Sequence, residues 1–448
     1  VSKPAANPYR VILRRHLPEP LLALLIFVMG VWLWDNHFGH KIGYEAGVGR
    51  MALRKIDRDL RLAEEAGGLP APLRSLLSIP TRAEALDGGI LSLRTLAAEQ
   101  SLDAEGAYAL GMLETLRRES SPDPDPAEAA VVLPAPPDAR ALVARVAHGE
   151  DAVWDREYLR RLGNMSPGED SRNREMALRV YMARGAVWLL AIAGLAYLPS
   201  VARGWWQALK SRGRGYPSRW PVTLGLGVFL MAYLASIGFG KSLDLAISGS
   251  WSGEGGQPLL LAPGWFALLD AGTRFLPAFI ACAFLFRRCR HAATRLGLSA
   301  RPEFGLVLGS FALLTLVDQV MRHTLGQSVP TDPSGGLSEM EAGPWGLVLA
   351  VTSACIAAPV AEEILYRGVL FRSLANGIRV AAATLISAAV FALVHFYDAY
   401  GLLSVGSLGV ACALGFAVSG RLTTAILLHA LYNSAIKIPE WIVYHAPL

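Results

Sequence analysis

The sequence predicts an all-α protein: a polytopic transmembrane bundle of about nine helices, with a mostly helical extracytoplasmic domain inserted after the first. Three observations predict it. Of 448 residues, 53% are hydrophobic and only 18% charged, whereas soluble domains are nearer a quarter charged. The mean hydropathy is +0.35. Apolar runs approaching the ~20 residues that span a bilayer recur along the chain, and the loops between them carry Arg in an alternating pattern.

The elements follow in order. Residues 1–40 read as a cytoplasmic arm and a first span, Leu17–Phe38. Arg10, Arg14 and Arg15 precede the apolar run, and Asp35, Asn36 and His37 follow it in place of a small-x-small cleavage site, so the span is expected to stay uncleaved. Residues 41–183 read as the inserted helical domain. Stretches near Glu45–Glu65, Ile90–Arg118 and Arg156–Met182 look helical, and Leu53, Ile56 and Leu60 recur at helical spacing. The Pro-rich run Ser120–Pro137 reads as a linker. Residues 184–344 hold spans two to five: Gly185–Ala202, Pro221–Gly240, Trp265–Phe286 and Phe304–Val320. Asp270 and Arg274 fall in the fourth, four apart, where a helix would pair them. Asp318 and Gln319 read as boundary residues. Residues 345–448 hold spans six to nine: Trp345–Phe371, Val380–Phe396, Leu402–Ser419 and Thr423–Ile438.

The basic loops set the orientation. The N-terminal arm is basic, and so are the loops after spans two (Arg203, Lys210, Arg212, Arg214, Arg219) and four (Arg287, Arg288, Arg290, Arg301). Arg372 and Arg379 follow span six, and Arg421 follows span eight. Simple alternation puts all of these on one side, so the N-terminus is expected in the cytoplasm and 41–183 outside it. The four cysteines, at 282, 289, 355 and 412, lie in or beside apolar runs without metal-ligand spacing. The scattered Arg residues give no nucleic-acid footprint. The glycines at 305, 309, 406, 409 and 415 are expected to permit close helix packing.

The chemistry concentrates in the last third. An ionisable side chain at the centre of a membrane helix costs ~2.5–3.5 kcal/mol on insertion scales, so such residues mark a use. Span six ends with the adjacent Glu362 and Glu363, which point ~100° apart on a helix. Glu363 and Arg367 stand at i, i+4 and can pair. Glu362 is then left on a neighbouring face, where a partly desolvated carboxylate suits general-base work. His395 lies in span seven. His429 and Asn433, four apart on span nine, share a face, and two stacked donors of this kind can bind a developing oxyanion. One geometric difficulty follows. At ~1.5 Å per residue, Glu362 lies ~25 Å down span six and His395 ~22 Å up span seven, so straight spans leave them at different depths. They meet if the bend between Phe371 and Val380 is sunk in the membrane or the spans tilt; Gly368 and Asn376-Gly377 allow such a bend.

Glu-Glu-x-x-x-Arg at 362–367, Phe-x-x-x-His at 391–395 and His-x-x-x-Asn at 429–433, on successive apolar helices, resemble the CPBP group of intramembrane glutamic endopeptidases, which includes the CAAX prenyl endopeptidases. The resemblance covers roughly Trp345–Ile438; the segment 41–183 is a departure from it. It implies that Glu362 is the general base, that His395 helps hold or deprotonate the attacking water, that His429 and Asn433 stabilise the tetrahedral intermediate, and that Glu363 and Arg367 act in support. No cofactor is implied. A zinc site built from two His and a Glu is the competing reading, disfavoured because His-Glu-x-x-His is absent and the candidates come from three helices. Serine and aspartyl intramembrane proteases are disfavoured too, since neither Gly-x-Ser-x-Gly nor Gly-x-Gly-Asp occurs. The expected partners are a peptide or protein substrate at the membrane and the lipid bilayer, with no nucleic acid. The preference for Arg over Lys and the Ala, Gly and Pro content point to a GC-rich bacterium and so to its inner membrane. The alternatives are a non-catalytic binding or immunity protein of the same fold, and a proton-coupled transporter.

Overall fold

The computed structural model describes residues 48–99, 102–120, 133–148, 151–162, 171–212, 220–247, 263–286, 291–325, 348, 351–395 and 399–445. The first expected span and most of the Pro-rich run lie outside the described residues, as do the side chains of Asp270 and Arg274. The described chain is all-α, and its helices fall into two compact units. One draws on Leu189–Thr324 and Glu339–Ser434, the other chiefly on Ile42–Trp188 and Ala435–Leu448.

The second unit opens with α1 (Val48–Glu65), followed by the short α2 (Ala71–Leu76), α3 (Arg82–Glu99), α4 (Ala104–Glu119), α5 (Ala139–His148) and α6 (Val153–Arg161). The helix expected over 90–118 is two helices. Asp103 ends the run between them by capping α4, its carboxylate accepting from the Gly106 amide at 2.7 Å. Leu53, Ile56 and Leu60 face one core with Leu86, Leu93, Met112, Leu113 and Trp154. Beside that core lies a buried polar knot. Arg61 is 1% exposed. Its Nε donates to Asp57 Oδ2 at 2.9 Å, and its other nitrogens donate to the Asp151 carbonyl and to Asn173 Oδ1. Asp57 Oδ1 in turn accepts from the Val153 amide at 2.6 Å. Removing one partner of a buried pair strands the other charge. Asp57→Ala is therefore expected to destabilise this unit by about 3–5 kcal/mol, read as earlier thermal unfolding and faster proteolysis between residues 48 and 161.

The following helix, α7 (Ser171–Leu195), corrects the expected span two. It begins earlier than Gly185 and ends before Ala202. Its charged residues find partners along the way: Arg179 pairs with Glu175, and Arg184 Nη1 donates to the Leu77 and Ser78 carbonyls at 2.8 Å each. Pro199, in the first turn of α8 (Leu198–Lys210), explains the break, since a proline there starts a helix instead of continuing one.

The first unit continues with α9 (Val222–Ile247), α10 (Pro263–Phe286), the short α11 (Ala292–Leu296) and α12 (Phe304–Leu325). Among the described residues four helical stretches are long and apolar enough to cross a membrane: Asn173–Leu195, Val222–Phe239, Phe304–Leu325 and Ala399–Ser419. These helices approach closely where the sequence is small. A Cβ on Gly194 would stand 2.2 Å from the Leu308 carbonyl oxygen, and one on Gly309 would stand 2.6 Å from Val201 Cγ2. Gly406 and Gly415, by contrast, have ordinary space around them. Asp318, expected as a boundary residue, has partners of its own. It lies within α12, paired with Arg322 at 2.9 Å and accepting from the Tyr400 hydroxyl.

The helix expected to end at Phe371 runs on to Ala375. It comprises a π-helical turn at Ser353–Ala357, α13 (Ala358–Glu363), a π-helical stretch at Ile364–Phe371 and α14 (Arg372–Ala375). A turn over 376–379 leads to α15 (Val380–Leu393). It is pinned by an antiparallel bridge between Arg212 and Arg379, with the Val380 amide donating to the Ser211 carbonyl at 3.3 Å. Then come α16 (Ala399–Ser419) and α17 (Leu422–His445), longer than the span expected there. Gly420, at φ +65°, ends α16 in the left-handed conformation that glycine adopts without strain, and the short joint returns the chain as α17.

Candidate active site

The four added residues of the Glu362 helix resolve the difficulty over depth. Counted from the turn that joins them, Glu362 lies thirteen residues before Ala375 and His395 fifteen residues after Val380. The two reach nearly the same height without a bend at Phe371, and their charges lie within interaction range.

Glu363 is the most enclosed member of the group. Its side chain and that of Arg367 are both 0% exposed, and Arg367 Nη1 donates to Glu363 Oε1 at 2.6 Å. The other arm of the guanidinium donates to the Gly409 carbonyl on α16 at 3.0 Å, and its plane lies 4.5 Å from the centroid of the Phe391 ring. The same Glu363 oxygen meets His429 Nδ1 at 2.8 Å. An ionised carboxylate only accepts, so Nδ1 carries the proton and the imidazole is fixed in orientation. The other nitrogen, Nε2, then faces Glu362 Oε2 at 3.7 Å. Glu362 differs from its neighbour in one decisive respect: its side chain keeps 25% of its surface exposed. One carboxylate is therefore built into the fold, and the other is open to a reactant.

His395 stands across from this pair at the end of α15. Its Nδ1 lies 2.7 Å from the Phe391 carbonyl. A carbonyl can only accept, so Nδ1 is the protonated nitrogen, and Nε2 carries the lone pair that can take a proton. Asn433 projects from α17 and donates from Nδ2 to the Ala354 carbonyl at 2.9 Å, which leaves the amide one further N–H. Thus Arg367 and His429 are both hydrogen-bonded to Glu363, and Glu362 faces His429 across 3.7 Å. His395 joins them through ring contacts, whereas Asn433 is tethered to the π-helical turn upstream.

Several residues that hold the cluster carry no role in the sequence reading. Phe391 is fully buried, and its ring makes edge contacts with Tyr366 (4.9 Å), His395 (4.9 Å) and His429 (5.6 Å). Its four-residue spacing from His395 was the available signal. Tyr366 and Tyr233 of α9 lie close to each other, and both hydroxyls are within interaction range of Glu362. Nothing local in the sequence joins Tyr233 to residues so far along the chain. Cys412 Sγ, facing the Ala425 carbonyl at 3.6 Å, is close to Glu363. Among the described residues, no group of three or more His, Cys, Asp or Glu side chains is arranged to hold a metal ion.

Gly409 links packing to the site. A Cβ there would stand 3.0 Å from Ala388 Cβ and 3.1 Å from its Cα. Gly409→Ala is expected to force α15 and α16 apart and draw the carbonyl away from Arg367, at a cost of about 1–3 kcal/mol. Thermal unfolding in detergent measures it, and an unchanged midpoint would show that the contact has slack.

Residues 344–435 match the family described as type II CAAX prenyl endopeptidase Rce1-like. No curated protein and no solved structure matches the chain.

Proposed function

We propose, from the match of residues 344–435 to the type II CAAX prenyl endopeptidase Rce1-like family, that this chain is an intramembrane endopeptidase that hydrolyses a peptide bond near the membrane with a glutamate-activated water. One observation carries the reading. Glu362 alone of the two glutamates is open to a reactant, and it faces an imidazole whose far side is fixed by a fully buried ion pair.

In the proposed reaction, Glu362 takes a proton from water held between it and His395 Nε2. The resulting hydroxide adds to the scissile carbonyl carbon. The oxyanion that forms is met by His429 and by the second N–H of Asn433. His429 keeps Nδ1–H on Glu363, and that bond holds the Nε2 edge of its ring towards the oxyanion. Collapse of the intermediate breaks the C–N bond, and the proton on Glu362 passes to the leaving amine, which restores the carboxylate. Glu363 and Arg367 hold His429 in place and touch no reacting atom. The substrates are membrane-associated or secreted peptides or proteins. We place the protein in a bacterial inner membrane with its N-terminus in the cytoplasm, and residues 41–183 outside as a domain that recruits substrates.

The test compares membrane proteomes of cells carrying the wild-type chain or Glu362→Gln. It is paired with cleavage by purified protein in phospholipid vesicles of a farnesylated peptide ending in Cys-aliphatic-aliphatic-X, and of its unprenylated counterpart. Protein termini that depend on Glu362 are expected. Identical termini in both strains, with neither peptide cleaved, would falsify the assignment.

A further inference from the structure

Asn433 has a tether that no sequence motif explains, and its origin lies in the backbone of the Glu362 helix. A π-helical turn closes its bonds from an N–H to the carbonyl five residues back, and at the end of the turn Ser353–Ala357 the Ala358 N–H donates to the Ser353 carbonyl. The next bond in that register would run from residue 359 to the Ala354 carbonyl. Residue 359 is proline and has no N–H. The donor that an α-helix would offer Ala354, the Ala358 N–H, is already spent on Ser353. Ala354 is thus left with a carbonyl that the helix cannot satisfy, at a depth where an unpaired backbone group is expensive. Asn433 Nδ2 supplies the missing donor, at 2.9 Å.

We propose that Pro359 is a positioning residue for Asn433: by denying the helix its own donor it reserves the Ala354 carbonyl as a fixed acceptor that orients the Asn433 amide toward the reacting carbonyl. The inference rests on the catalytic reading above. It adds that the geometry of the oxyanion donor is set from the Glu362 helix, not from α17 alone. One N–H of the amide is spent on the tether, and that tether fixes where the other points. A proline three residues before the glutamate therefore serves the site through what it lacks.

Pro359→Ala supplies the missing N–H. It lets the backbone satisfy Ala354 and releases Asn433. A proline removed from a helix interior does not weaken the helix, so stability and activity should move apart. The expected result is a fall in kcat of roughly tenfold to a hundredfold, toward the loss seen when an oxyanion donor is removed, with KM held and Tm unchanged or higher. Pro359→Gly should lower kcat in the same way on a looser backbone. In an Asn433→Ala background, Pro359→Ala should have no further effect on kcat, since the group it releases is gone. Rates are read on a membrane protein whose terminus depends on Glu362, reconstituted with the purified enzyme in phospholipid vesicles. Wild-type kcat in Pro359→Ala overturns the inference. So does a loss of kcat that tracks a loss of Tm in both variants and persists in the Asn433→Ala background. Failure of the catalytic reading is separate: it is seen when Glu362→Gln itself processes normally.

Discussion

Glu362→Gln is expected to reduce turnover by about three orders of magnitude, within the ~10²–10⁴-fold range of general acid–base catalysis, while leaving the fold intact. The amide has the shape of the carboxylate but cannot accept a proton from water. The structural cost is small because Glu362 is the partly exposed glutamate, and its contact in the cluster, with His429 Nε2, is a loose one at 3.7 Å. The measurement is kcat on reconstituted enzyme beside its thermal midpoint. An active Glu362→Gln protein with a normal midpoint would remove Glu362 from the chemistry. A dead one with a collapsed midpoint would make Glu362 a structural residue.

Arg367→Ala should behave in the opposite manner. The guanidinium is 0% exposed and satisfies Glu363 with one arm and the Gly409 carbonyl with the other. Its removal leaves Glu363 as a buried anion facing His429 alone, and breaking such a pair costs about 3–5 kcal/mol. Activity falls with it, because Glu363 orients His429. Arg367→Lys keeps the charge but lacks the planar fork that reaches both acceptors, so part of the stability returns and little of the activity. Replacing both partners, as Glu363→Gln with Arg367→Met, removes the stranded charge and should recover stability relative to Arg367→Ala. Activity should stay low, since an amide no longer anchors His429 as a carboxylate does. Recovery of both together would mean that the pair only maintains the fold. Unfolding midpoints and processing rates of the four variants decide the matter.

Much of this was legible in the sequence, for identifiable reasons. Apolar runs mark membrane helices because lipid demands them, and the i, i+4 spacing of Glu363 with Arg367, and of His429 with Asn433, follows from helical pitch alone. What sequence missed is what depends on distant or backbone atoms. The Gly409 carbonyl, the Ala354 carbonyl and the Tyr233 hydroxyl are not motif residues, and no local period reveals them. Hydropathy also misplaced helix ends. The run that stops at Phe371 continues through Arg372 to Ala375, since a charged residue ends an apolar window without ending a helix. For the same reason α7 begins well before Gly185: Arg179 and Arg184 interrupt the apolar pattern, but each is paired along the way. The disagreement over depth between Glu362 and His395 came from this error and vanished with it.

The π-helical stretch Ile364–Phe371 carries a consequence for how this segment tolerates change in length. A helix whose bonds close five residues apart holds one residue more in each ring than its α-helical flanks. Deleting one residue there would let a wide ring tighten to an α-helical one, and the flanks would keep nearly the same rotational register, because the π ring carries its extra residue over about the same turn. Adding a residue has no such outlet, and the chain beyond it would turn by about 100° relative to Glu362. The stretch should therefore tolerate the loss of one residue better than the gain of one, so a chimaera that preserves every catalytic side chain must above all not lengthen the run between Glu363 and the turn at 376.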